Sequence, residues 1–223
     1  MSATDAPLRG PATSPVKNDV LDAALALVAR VGVARTTLGE VARHAGTSRA
    51  TLYRLFPGGK GPLLTATARR ELTRALTEVA TRVDEAATLE DALTVGLSEA
   101  ARRIDEQPAL QFVLAHEPGL LLPYLAFDRL TDLFVAVSAF AAPHLARFVP
   151  APDAPAAAEW VGRVLLSYLF NPAADVDLRR PVDARRLVRT FLLPGLLAGR
   201  TADRPSLDLT ARPDLHPTVL QGS

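Results

Sequence analysis

The sequence predicts an all-α chain: a small N-terminal head of three helices followed by a larger helical body. Three observations carry that expectation. Strand signals (alternation, β-branched runs, Asn-Gly turns) are almost absent. Apolar residues recur at i, i+3 and i+4 in segment after segment, the spacing of one helix face. Prolines, 18 of them in 223 residues, punctuate those segments.

The elements follow in chain order. Residues 1–14 carry Pro7 and Pro11 among small polar residues, run up to Pro15, and read as a flexible arm. They have neither the basic start nor the apolar core of a signal peptide. A first helix over 17–31 is amphipathic through Leu21, Ala24, Leu25, Val28 and Val31 and stops at Gly32. Thr37 followed by Glu40 fits a capping box for a second helix, whose apolar face is Leu38, Val41, Ala42 and Ala45. Gly46 ends it, because a left-handed residue is needed there and glycine adopts that conformation at least cost. Ser48 is a good N-cap for a third helix, with Leu52, Leu55 and Phe56 on its buried side. After a glycine-rich connection a long helix over 62–85 links head to body, with Pro62 suited to its first position. Further helices are expected over 88–105, 108–117, 120–141, 155–170 and 183–198, bounded by Pro108, Pro118, Pro143, Pro152, Pro155, Pro172, Pro181 and Pro194. Residues 200–223 lose apolar periodicity and read as a disordered tail. The division is thus an arm (1–14), a head (15–64), a body (65–199) and a tail.

Residues 36–60 carry the functional signal. Two short helices joined by a glycine turn are the layout of a helix-turn-helix, whose second helix can enter the DNA major groove. The third helix leaves Arg49, Ala50, Thr51, Tyr53 and Arg54 outward or flanking. Arginine can donate two hydrogen bonds to a guanine edge, and threonine and alanine methyls can touch a thymine methyl. Serine, threonine and tyrosine hydroxyls reach phosphate oxygens. Charge agrees: residues 1–60 hold eight Lys and Arg against four Asp and Glu, while the remainder holds 17 against 20.

With these residues in hand, residues 18–64 resemble the N-terminal domain of the TetR family of transcriptional regulators. The matching elements are Leu21-Asp22-Ala23-Ala24, Gly32, Thr36-Thr37, Glu40-Val41-Ala42, Ala45-Gly46, Thr51-Leu52-Tyr53, Phe56 and Lys60. The resemblance implies a phosphate contact from Thr37 and a reading edge of Thr47, Ser48, Arg49, Ala50 and Thr51. It implies that Tyr53 packs partly on the core and reaches a phosphate, and that Lys60 contacts phosphate. One departure is visible: Phe56-Pro57-Gly58-Gly59-Lys60 is a residue longer than the usual connection and glycine-rich.

In the body, 159–170 and 187–193 are strongly apolar on too many faces for one-sided burial. TetR-like proteins dimerise through their last two long helices, and these segments occupy that place. Trp160, Val164, Leu165, Tyr168, Leu187 and Phe191 are the expected contacts of a homodimer, whose two heads would read a palindromic operator. Phe112, His116, Tyr124, Phe127, Phe134 and Trp160 lie on apolar stretches and could line a cavity for a small hydrophobic or amphipathic effector. Core packing competes with that role at each aromatic taken alone. The expected function is a ligand-responsive DNA-binding regulator, a repressor released by its ligand. The alternative is a helical small-molecule-binding protein without specific DNA recognition.

Other classes fare poorly. The chain has no cysteine, which removes disulfides and thiolate metal sites. No apolar run approaches the ~18 residues of a membrane span, so a cytoplasmic location is expected. Gly58-Gly59-Lys60-Gly61 lacks the earlier glycine, the Ser/Thr after lysine and the preceding strand of a phosphate loop. Glu40 and His44 are two ligands without a third. Acidic pairs such as Asp84-Glu85 and Glu90-Asp91 read as solvated helix faces. No enzyme, metal or cofactor is expected.

Overall fold

The computed structural model describes residues 15–120, 127–171 and 173–198, and every regular element among them is helical. The expected arm and tail and the candidate ligand residue Tyr124 lie outside the described residues, as does the side chain of Phe127.

Helix α1 (Pro15–Arg35) begins on the proline, where a missing N–H leaves no bond unmade, and buries Val20, Leu21, Ala24, Leu27 and Val28. Gly32 breaks it (φ 83°, ψ 171°), and one further turn runs on in a new direction to Arg35. That conformation is open to glycine alone at little cost. Helix α2 (Leu38–His44) is capped by Thr37. Its Oγ1 accepts the Glu40 N–H at 3.3 Å and donates to the Glu40 carboxylate at 2.8 Å. That second bond is the main reason the Glu40 carboxyl is held below its ordinary range.

The end of α2 is a Schellman turn: the Thr47 N–H reaches Ala42 O at 2.9 Å and the Gly46 N–H reaches Arg43 O at 3.3 Å, with Gly46 at φ 61°. Helix α3 (Arg49–Leu55) starts from Ser48, whose Oγ accepts the Thr51 N–H at 3.1 Å. Val41, Ala42, Leu52, Phe56 and Leu63 close a small core on α1.

Helix α4 (Lys60–Asp84) starts two residues earlier than the sequence suggests, because Gly58 and Gly59 (φ 92° and 83°) complete the turn before it. Pro62 then falls in the first turn, still among the N–H groups that lack helical partners. The body adds α5 (Leu89–Asp105), α6 (Pro108–His116), a 3₁₀ turn (Pro118–Leu120), α7 (Phe127–Leu145), α8 (Ala154–Phe170), α9 (Pro181–Leu187), a π turn (Val188–Leu192) and α10 (Leu193–Ala198). Its core gathers Leu93, Leu97, Leu145, Ala157, Ala158, Leu178, Ala184, Val188 and Leu192. Arg185 fastens α9 to the start of α5, 2.6 Å from Glu90 and 2.8 Å from Asp91.

Two boundaries differ from expectation. Helix α7 does not stop before Pro143 but runs through it to Leu145. Burial of Leu145 and Val149 holds the chain on the core across the lost hydrogen bond. The helix expected over 183–198 is interrupted by the π turn. Pro194 offers no N–H to the carbonyl four residues back, and the Leu193 N–H bonds Val188 O, five back, widening the turn. No helix among the described residues is long and apolar enough to cross a membrane.

Candidate nucleic-acid interface and its link to the body

The cap at Ser48 and the burial of Leu52 fix which face of α3 looks outward. Ser48, Arg49, Ala50, Tyr53 and Arg54 are exposed, and Thr47 and Thr51 are half-buried beside them. Tyr53 is 55% exposed, yet its ring edge packs where a Cβ on Gly59 would stand, 3.6 Å away. Thr37, at the start of α2, is also exposed. These residues therefore share the outer side of a head whose inner side is a packed core.

Charge sharpens the picture. Every arginine side chain described between Arg70 and Arg189 has a carboxylate within 4.0 Å. Among the described residues none of Arg30, Arg35, Arg43, Arg49 and Arg54 in the head has one, nor has Arg69 in the early part of α4. Lys60, expected to contact phosphate, makes a bond within the head. Its Nζ donates to Ala34 O at 3.1 Å, tying the start of α4 to the last turn of α1. A set of cations left unpaired on one end is what neutralisation of a polyanion requires.

The joint between head and body was not visible in the sequence. Glu117, at the end of α6, accepts the Val33 N–H at 2.7 Å and the Ala34 N–H at 2.9 Å. One carboxylate thus caps the turn that follows the Gly32 break. Gly32 is needed twice there, for its φ and because a Cβ would stand 2.6 Å from Phe112 and 2.7 Å from Glu117. Thr36 completes the turn by donating from Oγ1 to Gly32 O at 2.7 Å. Val28, Ala109 and Val113 bury a small apolar cluster beside it. The signal that could have found this joint is Glu117 immediately before a proline at a helix end, together with Gly32.

The candidate ligand residues fall in different places. Phe112 and His116 stack with ring centroids 4.4 Å apart on α6, against the Gly32 joint. Phe134 is buried between α7 and α8 under the Arg163 guanidinium, 4.4 Å from its ring. Trp160, on α8, is 52% exposed. An open cleft of about 430 Å³ between α4 and α5 mixes apolar side chains (Ala86, Ala87 and Val95) with charged and polar ones (Arg82, Ser98 and Glu99 among them) and includes none of those candidates. Two hydroxyls, Thr94 Oγ1 on α5 and Ser138 Oγ on α7, are buried without a hydrogen-bond partner among the described residues.

Of the expected dimer contacts, Phe191 is 70% exposed on the π turn, and Val164, Leu165 and Tyr168 are half-buried against the core. Leu187 is only 5% exposed and belongs to the core, because α9 turns it toward α5. Val135, Val182 and Leu197 are exposed apolar side chains that sequence reasoning passed over. Among the described residues no group of three or more potential ligands could hold a metal ion, and His44 Nδ1 lies 3.0 Å from Glu40 O.

Comparison with known proteins agrees with this geometry. Residues 20–67 match the model of the bacterial regulatory proteins of the tetR family. An HTH-type transcriptional regulator of Mycobacterium tuberculosis is 29% identical over 191 residues, spanning 83% of this chain and 87% of that protein. Among solved structures, the TetR family repressor AlkX from Dietzia, implicated in biodegradation of n-alkanes, superposes with a TM-score of 0.64 at 24% identity. That match covers 85% of this chain and 98% of AlkX. The transcriptional regulator FadR from Bacillus subtilis, solved with stearoyl-CoA, gives 0.52 at 16% identity, covering 78% of this chain and 97% of FadR.

Proposed function

From the match of residues 20–67 to the tetR family model and the likeness to a regulator and a repressor over most of the chain, we propose that the chain is a TetR-family transcriptional regulator and acts as a homodimeric repressor, releasing a palindromic operator when its body binds a small hydrophobic or amphipathic ligand. The observation that carries this reading is the exposed edge of α3 beside head cations that lack carboxylate partners. Thr37, Thr47, Ser48, Arg49, Ala50, Thr51, Tyr53 and Arg54 supply the contacts, and Lys60, which also ties α4 to the last turn of α1, adds one to phosphate.

A dimer follows from the need to read two half-sites about one helical turn apart. Phe191 and Trp160 are its anchors, as exposed large apolar side chains on the last helices. An acyl-type ligand is favoured by the apolar interior of the body, and relatives of this fold include one solved with stearoyl-CoA. Thr94 and Ser138 are suited to meet its polar group, since an unsatisfied buried hydroxyl costs ~1–3 kcal/mol. Ligand binding would shift a two-state equilibrium of head spacing by favouring one position of α6. Glu117 conveys that position to the last turn of α1, just before α2.

The test is selection of duplexes from a random library at near-physiological salt, run beside an Arg49→Ala, Tyr53→Ala double variant. An enriched palindrome that the variant fails to enrich is the expected result. A folded dimer that enriches nothing overturns the reading.

A further inference from the structure

Gly39 lies inside α2, where glycine weakens a helix relative to alanine. The backbone gives no reason for it. Gly32, Gly46, Gly58 and Gly59 have positive φ, and Gly39 does not. What occupies the missing side chain's space is the guanidinium of Arg49, the first residue of α3. A Cβ on Gly39 would stand 2.9 Å from both Cζ and Nε of Arg49, with Nη2 nearer still. Arg49 is exposed and, among the described residues, has no carboxylate within ion-pairing distance. Packing on the bare backbone of α2, and not a counter-charge, holds its head group.

We propose that Gly39 is a positioning residue for DNA reading, a seat that presets Arg49 for a base edge in the major groove. The inference rests on the reading of α3 as the helix that enters DNA. An arginine loses much rotamer freedom when it binds, and a seat removes part of that loss before DNA arrives. The seat leaves every guanidinium donor without an acidic competitor, so the bidentate bond to guanine stays available. A methyl at position 39 meets only the far end of a flexible side chain. Arg49 can swing outward to make room, and both helices can stay where they are.

This predicts an unusual pairing of effects. Gly39→Ala should be at least as stable to heat as the parent, because alanine is the better helix former. It should nonetheless bind the parent's selected duplex about tenfold more weakly, with the loss of preference confined to one base position in each half-site. The experiment uses the full chain as parent, Gly39→Ala, Arg49→Ala and the double variant. Each is followed by thermal denaturation and by titration with the selected duplex and its single-base changes.

The double variant is expected to bind no more weakly than Arg49→Ala. Parental affinity in Gly39→Ala, or an equal loss from it in the Arg49→Ala background, overturns the seat while leaving the DNA reading intact. A fall in both stability and binding makes Gly39 a packing residue and also overturns it. If the parent itself enriches no duplex, the DNA reading fails and the seat fails with it.

Discussion

Gly46 sits at φ 61° with open space where a Cβ would stand, so a side chain there meets only backbone strain. Gly46→Ala is expected to lower stability by about 1 kcal/mol and Gly46→Asn by less, read from thermal or urea denaturation. An Ala variant as stable as the parent would contradict the left-handed assignment. Residues of this kind were legible in the sequence because their partners are close. Thr37 and Ser48 each cap an N–H three residues on, and Gly46 closes a turn with Arg43. Glu117 was not legible, since its partners are 84 and 83 residues away, and neither was the bond from Lys60 to Ala34, 26 residues away. Gly39 looked like any helix residue until Arg49 was found lying over it.

At the scale of elements, α6 meets α1 through one carboxylate, two backbone amides and a small apolar cluster. Glu117→Gln keeps the shape but replaces charge-assisted bonds with weaker ones. A hydrogen bond to a charged group contributes ~1.5–3 kcal/mol, so exchange of the Val33 and Ala34 amides should speed up about tenfold. NMR-detected hydrogen exchange reads this directly, and unchanged rates at those two amides would show that the carboxylate does not hold the turn. The helices themselves followed from periodicity and caps: α5 was expected over 88–105 and spans Leu89–Asp105. Where expectation failed, packing had overruled proline. Leu145 and Val149 carry α7 past Pro143, and the buried Val188 and Leu192 hold to the core the π turn that interrupts the last helix, which no periodicity announces.

For the whole molecule, the proposed assembly turns on side chains the fold leaves outside. Phe191→Glu should give monomers by light scattering without unfolding the chain, because Phe191 is 70% exposed. An unchanged dimer mass would remove the π turn from the interface. The same substitution at Leu187 would report on the core instead, a distinction that hydrophobicity alone could not draw. The two-part plan was legible because the capped short helices of 36–60 stand apart from the long helices after them, and head and body indeed bury separate apolar clusters. The scatter of the candidate ligand residues Phe112, His116, Phe134 and Trp160 was not, because aromatic residues on neighbouring helices need not face one another.

The pairing of the described arginines from Arg70 to Arg189 with carboxylates has a consequence for how the protein would travel. A surface whose charges are already matched has little to exchange with a polyanion. The cations that DNA sheds on binding would be those displaced by the head, about 0.9 per phosphate neutralised. Grip on random sequence would then grow with the number of heads engaged and not with the bulk behind them. Sliding along the genome would be the head's business, and the body would ride as neutral cargo.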